Sequence, residues 1–200
     1  MTTHHIAIEI AACAPTCDAG ILAVGAVSFD LKGKIKARFY EEVEPYYAQR
    51  HRRFDPATML KMVTDRKTMA RLAAPAEKVY GLPTVLDNLA SWFGNAAQGL
   101  GAAVWARNTH LTIAALDHAY HNNVVGRSSP WKMNNVCDLA TLIASMPSGL
   151  TVASSVSLSS QPKNAEEDAE LVALTVVNLL GTPIQVKQAA KVKPADDDEL

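Results

Sequence analysis

Three cysteines in 200 residues are too few to staple a fold of this size. Cys13, Cys17 and Cys137 make no paired spacing with histidines, and a zinc site would have to borrow His4 and His5. Free thiols in a reducing compartment are the expected state. Excess charge of either sign is also missing. Nineteen Lys and Arg against 20 Asp and Glu leave a formal net charge of −1. No global field therefore draws in nucleic acid or a membrane, and any such partner must meet a local patch. The same balance argues against an acidic mimic of DNA. Long apolar runs are absent: the stretches freest of charge, around 89–106 and 145–161, are broken by Gly, Asn, Gln, Ser and Pro, so neither reads as a membrane span. Glu9 interrupts the only early apolar run, and no basic stretch precedes it, which predicts no secretory signal. The expectation is a cytoplasmic protein with no membrane contact and no internal repeat.

With 48% hydrophobic residues, the chain is rich enough in apolar side chains for one domain with a two- or three-layer core. The stretch from Ile6 to Asp30 organises it. Ile6, Ile8 and Ile10 alternate with Ala7, Glu9 and Ala11, the period of a strand with two distinct faces. A carboxylate inside such a strand is costly unless it is paired, hydrogen-bonded or bound to metal. After a Pro/Cys/Asp-rich bend, Ile21 to Phe29 reads as a central strand in which Gly25 permits close approach of another backbone. Asp30 to Gly33 is a turn, and 34–43 alternates again. Lys32, Lys34, Lys36 and Arg38 share one parity, a solvated cationic face or a docking stripe for an anionic partner. The following loop carries Arg50, His51, Arg52 and Arg53, which could grip phosphate or simply be solvated.

Asp55-Pro56 caps and starts a helix running towards Asp65, and a short helix is expected over Lys67–Leu72. Apolar spacing predicts a further helix over 84–93. A buried strand follows at 101–107, then a helix capped by Asn108 or Thr109. An edge strand ends near Asp138 and leads into a helix over 138–146. Pro147 to Pro162 is Ser-rich and reads as a loop. Asn164 with Glu167 makes a capping box for a helix over 165–180, stopped by Gly181 and Pro183. Residues 1–182 are expected to form the domain and 183–200, ending in Asp196-Asp-Asp-Glu199, a disordered acidic tail. Three strands and then alternating helices and strands predict a mixed sheet of about five strands with helices on both faces. His118 and His121 lie three apart without a third metal ligand.

In this order the segments resemble the DnaQ-like (DEDD) 3′→5′ exonucleases of RNase H-like fold, and their phage DexA-type branch in particular. The branch's I-D-L-E-T and I-L-S-I-G-A-V-x-F-D are echoed by Ile8-Glu-Ile-Ala-Ala12 and Ile21-Leu-Ala-Val-Gly-Ala-Val-Ser-Phe-Asp30. Gln49 through Thr58 echoes Q-x-G-R-x-I-D-x-x-T, and Ala70-Arg71 its following A-R. Val104-Trp105 through Tyr120 echoes V-W-G-N-x-x-x-F-D and its helix. Pro130-Trp131 through Leu142 follows P-W-x-x-x-N-V-R-D-x-x-T-L, and Lys163 through Ala169 echoes H-x-A-x-x-D-A.

The resemblance implies an RNase H-like fold and a cleft in which four carboxylates hold two Mg²⁺ or Mn²⁺ ions beside a histidine general base. Ions about 3.5–4 Å apart need several anionic oxygens to bind at all. At the matching positions stand Glu9, Ala11, Thr112 and Asp168, with Lys163 for the histidine; a shifted register pairing Ala7 with Glu9 still lacks one acid. Two carboxylates against one ammonium leave roughly one negative charge if all are ionised. Lys163 either pairs with Glu9 or Asp168 or is a surface residue ahead of the helix. Positions that suit a nucleotide in the branch read Lys61, Met62 and Asp65, and its R-D arginine is Cys137.

These departures lead us to expect a catalytically degenerate, phage-encoded protein with no metal cofactor, acting in the host cytoplasm by binding a host protein or nucleic acid. Its contact surface would draw on Lys32, Lys34, Lys36, Arg38, Arg50, Arg52 and Arg53. The alternative is a residual Mg²⁺- or Mn²⁺-dependent 3′→5′ exonuclease acting on single-stranded DNA or RNA, with Glu9 and Asp168, joined by Glu167, as metal ligands. Self-association through an exposed helix or edge strand, giving a homodimer, is the structural alternative.

Overall fold

The computed structural model describes residues 4–45, 49–64, 79–97, 101–123, 128–146 and 164–181. The expected helix over Lys67–Leu72, the Ser-rich stretch, Lys163 and the acidic tail lie outside them. Strands β1 (His5–Ala12), β2 (Ile21–Phe29) and β3 (Ile35–Val43) come first, followed by helix α1 (Pro56–Thr64). Then come β4 (Val79–Tyr80), α2 (Leu82–Ala97), β5 (Ala103–Ala106) and α3 (Thr112–Asn123). A 3-10 turn at Met133–Asn135 leads into β6 (Val136–Asp138), α4 (Leu139–Ser145) and α5 (Ala165–Leu180).

The strands form one mixed sheet in the order β4-β3-β2-β1-β5-β6. β2 lies between β1 and β3 and is antiparallel to both, whereas β5 and β6 run parallel to β1. The strand not foreseen is β4, which pairs with Glu42 and Val43 at the end of β3.

Side chains on the local turns explain where elements begin. The Asp30 carboxylate accepts the amides of Lys32 (3.0 Å) and Lys34 (3.1 Å), and Gly33 takes a left-handed φ of 84° that few other residues adopt. Asp55 accepts both the amide and the hydroxyl of Thr58 at the start of α1. Asn164 caps α5 by accepting the Glu167 amide at 2.8 Å, and Gly181 closes it by donating to the Val177 carbonyl. The helix after β5 starts at Thr112, later than Asn108 or Thr109 suggests. Asn108 instead accepts the amides of Leu111 and Thr112 through its backbone carbonyl.

The two faces of β1 bury different things. Ile6 and Ile8 pack with Val24, Leu86, Leu89 and Ile113 under α2 and α3, each such side chain contributing about 1.5–3 kcal/mol. On the other face, Ala7 sits with Val27, Phe29 and Trp105 beneath Val172, Ala173 and Val176 of α5. Small residues let α5 come close. At Gly25 a Cβ atom would run into the backbone of Ala165 and Glu166, so the first turn of α5 lies directly on β2. Gly25 is the cross-strand partner of Glu9, and the helix therefore starts over that carboxylate. The register shift between β1 and β2 falls at Ala11/Ala12, beyond Glu9, and leaves its face unchanged.

Several residues of the matching motifs are framework. Gln49 is buried and exchanges two hydrogen bonds with the backbone of Ile21. Tyr120 donates to the Leu86 carbonyl, and the Trp131 indole donates to Asp117. Arg52 corrects an expectation. It is 7% exposed and donates to the carbonyls of Ala19 (2.6 Å), Ala115 (3.0 Å) and Cys17 (3.4 Å). Its remaining arm reaches His118 Nδ1 at 3.2 Å. A charge spent this way ties the bend after β1 to α3 and contributes nothing to an outer contact surface.

Candidate active-site cleft

The cleft lies where β5 ends beside Glu9 of β1 and the first turn of α5 covers them. Glu9 is 5% exposed. One carboxylate oxygen accepts the Arg107 backbone N–H at 2.6 Å and the other accepts the Thr112 hydroxyl at 3.0 Å. Burial pushes Glu9 up to about 7, with the nearby Asp168 charge adding to the rise; the Arg107 amide and the Thr112 hydroxyl pull the other way. Asp168, in the first turn of α5, is also raised by burial, against the opposing pull of the Arg107 guanidinium. That guanidinium forms an ion pair and hydrogen bond with Asp168.

Asp138 holds the loop that delivers Arg107 and Thr112. Its one oxygen accepts the amide and hydroxyl of Thr109 (3.0 and 3.2 Å), and the other accepts both from Thr141, each at 2.8 Å, as the cap of α4. Burial would raise this carboxyl, but these bonds hold it below the usual range. Asp138 is therefore a bracket behind the cleft.

Glu9, Thr112 and Asp168 thus lie around one cleft. Ala11 lies two residues beyond Glu9, on the same side of β1 by strand alternation, and brings no ligand atom. Lys163 lies outside the described residues. The cation observed at Asp168 is Arg107, which sequence reasoning missed. Two signals point to it. Arg107 replaces the asparagine of V-W-G-N, and the parallel register Ala7–Trp105, extended by two residues, sets Arg107 beside Glu9.

The groups that would hold a pair of divalent ions already have partners within the protein. Glu9 has both oxygens engaged by protein donors, Asp168 faces a guanidinium, and Thr112 presents a hydroxyl that donates. Among the described residues, no group of three or more His, Cys, Asp or Glu could hold a metal ion. Nor is any helix among them long and apolar enough to cross a membrane.

The expected cationic surface is partly self-neutralised. Lys32, Lys34, Lys36 and Arg38 are exposed, as alternation requires. Lys36 lies 3.7 Å from Asp30. Arg38 bonds Glu166 at 2.9 Å and both oxygens of Glu170 at 2.7 and 2.9 Å, fastening β3 to α5. Arg50 and Arg53 are exposed, and Arg53 extends the bend through backbone bonds to Asp18 and Gly20.

The architecture is shared with solved nucleases. The exonuclease I of Methylocaldum szegediense, moderately thermophilic, superposes with a TM-score of 0.62 at 12% identity, over 88% of this chain and 40% of its own. A product-bound exonuclease I gives 0.63 at 10% identity, over 89% and 43%. The cell-death related nuclease CRN-4 gives 0.56 at 9% identity, over 89% and 64%. The chain thus spans about two fifths of the exonuclease I structures, and at these identities the likeness is one of fold, the RNase H-like α/β sheet. No curated protein matches the sequence. The sequence model of one family, the 3′-5′ exoribonuclease Rv2179c-like domain, matches residues 4–180, and the chain belongs to that family.

Proposed function

We propose that this chain is a catalytically silent member of the exoribonuclease family that acts by binding. One observation carries the reading: both oxygens of Glu9 are taken up within the protein, by the Arg107 amide and the Thr112 hydroxyl. Two-ion hydrolysis needs carboxylate oxygens free to hold the ions, which would stabilise the attacking and leaving oxygens. Here Thr112 stands where the resemblance places an acid, and its hydroxyl is directed at the carboxylate that would have to coordinate. Ala11 removes a further ligand.

The partner is a nucleic acid strand or, following the resemblance to phage enzymes, a host protein. Charge separates the two. Arg52 is buried and Lys36 and Arg38 face the protein's own acids, which leaves fewer cations for a phosphate backbone than the sequence suggests and favours the protein partner. The test is degradation of end-labelled single-stranded RNA and DNA with Mg²⁺ or Mn²⁺, beside salt-dependent binding of the same strands and recovery of one bacterial protein from lysate. The expected result is no shortening of either strand. Shortening that is lost in Asp168→Ala overturns the proposal in favour of a residual metal-dependent exonuclease.

A further inference from the structure

A single residue touches both surviving acids of the cleft. Arg107 gives its backbone N–H to Glu9 and its guanidinium to Asp168. The two attachments differ in kind. The amide belongs to the backbone and survives any substitution except proline, whereas the guanidinium is the only cation bonded to Asp168 among the described residues. We infer that Arg107 is a tethered counter-cation that occupies the place of a divalent ion at Asp168 and thereby keeps such ions out of the cleft. The inference rests on the silent reading above and gives its immediate cause.

The guanidinium and a divalent ion compete for the same carboxylate. Mg²⁺ and Mn²⁺ commonly bind through one or two carboxylates while keeping several waters, so Glu9 and Asp168 alone could recruit one ion. A charge-assisted guanidinium–carboxylate bond is stronger than a neutral one, and here it is closed within the chain. An incoming ion must break it and strand the guanidinium beside a doubly charged neighbour. Thr112, donating to Glu9, withdraws the second anchor. The arginine side chain is half exposed, so it can be replaced without disrupting a packed core.

The test uses the full chain without nucleic acid. Free Mn²⁺ is followed by electron paramagnetic resonance during titration, and melting temperature is read with and without the ion. Arg107→Asn, with Arg107→Gln as a second neutral variant, is expected to bind Mn²⁺ at least tenfold more tightly than the unaltered protein and to melt higher in its presence. Arg107→Lys, which keeps a cation, should stay near the unaltered protein, and Arg107→Asn combined with Asp168→Asn should lose the gain. Equal Mn²⁺ affinity in the unaltered protein and both neutral variants overturns the inference while leaving the silent reading standing. Mn²⁺-dependent RNA shortening by the unaltered protein overturns that reading instead.

Discussion

Two arginines near the same end of the sheet spend their charge in opposite ways. Arg52 is buried and donates to backbone carbonyls and a histidine; it carries a structural load and meets no carboxylate in those bonds. Arg107 is half exposed and meets Asp168, in a cleft that also holds Glu9. Sequence reading placed Arg52 among surface contacts and gave Arg107 no role. An arginine's function is thus set by what its guanidinium reaches, which the residue type alone does not fix.

The contrast predicts different consequences when either region is altered. Arg52→Ala should destabilise most, by about 4 kcal/mol in urea unfolding, because Ala19 and Ala115 lose buried donors and the bend after β1 loses its tie to α3. It should not create Mn²⁺ binding, and if it does, the division between the two arginines fails. Gly25→Ala should cost about 3 kcal/mol, since backbone of α5 stands where the Cβ would go and only a shift of the helix can relieve it. A variant that melts like the unaltered protein would deny that the first turn of α5 is pinned there.

Glu9→Gln tests the cost of keeping an acid in the cleft. The folded-state value, about 7, lies above the ordinary 4.5. The favourable contribution of protonated Glu9 is therefore complete below pH 4.5, fades as pH rises towards 7 and is gone above it. Glutamine should stabilise by about 3 kcal/mol at pH 8 and change little at pH 4. Stability curves of the two proteins that run parallel across this range would show that Glu9 carries no burial penalty. The smallest effect belongs to Arg38→Gln. Its bonds to Glu166 and Glu170 are partly exposed, so the loss should be about 1 kcal/mol, shrinking at high salt. A loss equal to that of Arg52→Ala would make Arg38, too, a framework residue.

The local rules were readable. Asp30, Asp55 and Asn164 turn or cap the chain where their side chains suggest, because each bonds amides two to four residues away. The alternation of Ile6, Ile8 and Ile10 with Glu9 assigns their faces correctly, and Gly25 marks a close approach. The fold class followed from that order of elements. Less readable were the loop arginines, since Arg52 bonds residues 33 and 63 positions away, a distance at which no periodicity operates. The cleft was half legible: Glu9, Thr112 and Asp168 matched by motif, while their partner Arg107 depended on strand register.

The amino-acid order by itself settled the main strands and helices but not β4, and it settled which side of β1 carries an acid and that Ala11 and Thr112 offer no carboxylate there. Those are matters of short-range bonding and covalent identity. Tertiary structure alone decided which cation answers Asp168 and which arginine disappears into the framework, because a guanidinium's long, flexible stem commits only when distant elements have brought its acceptors together.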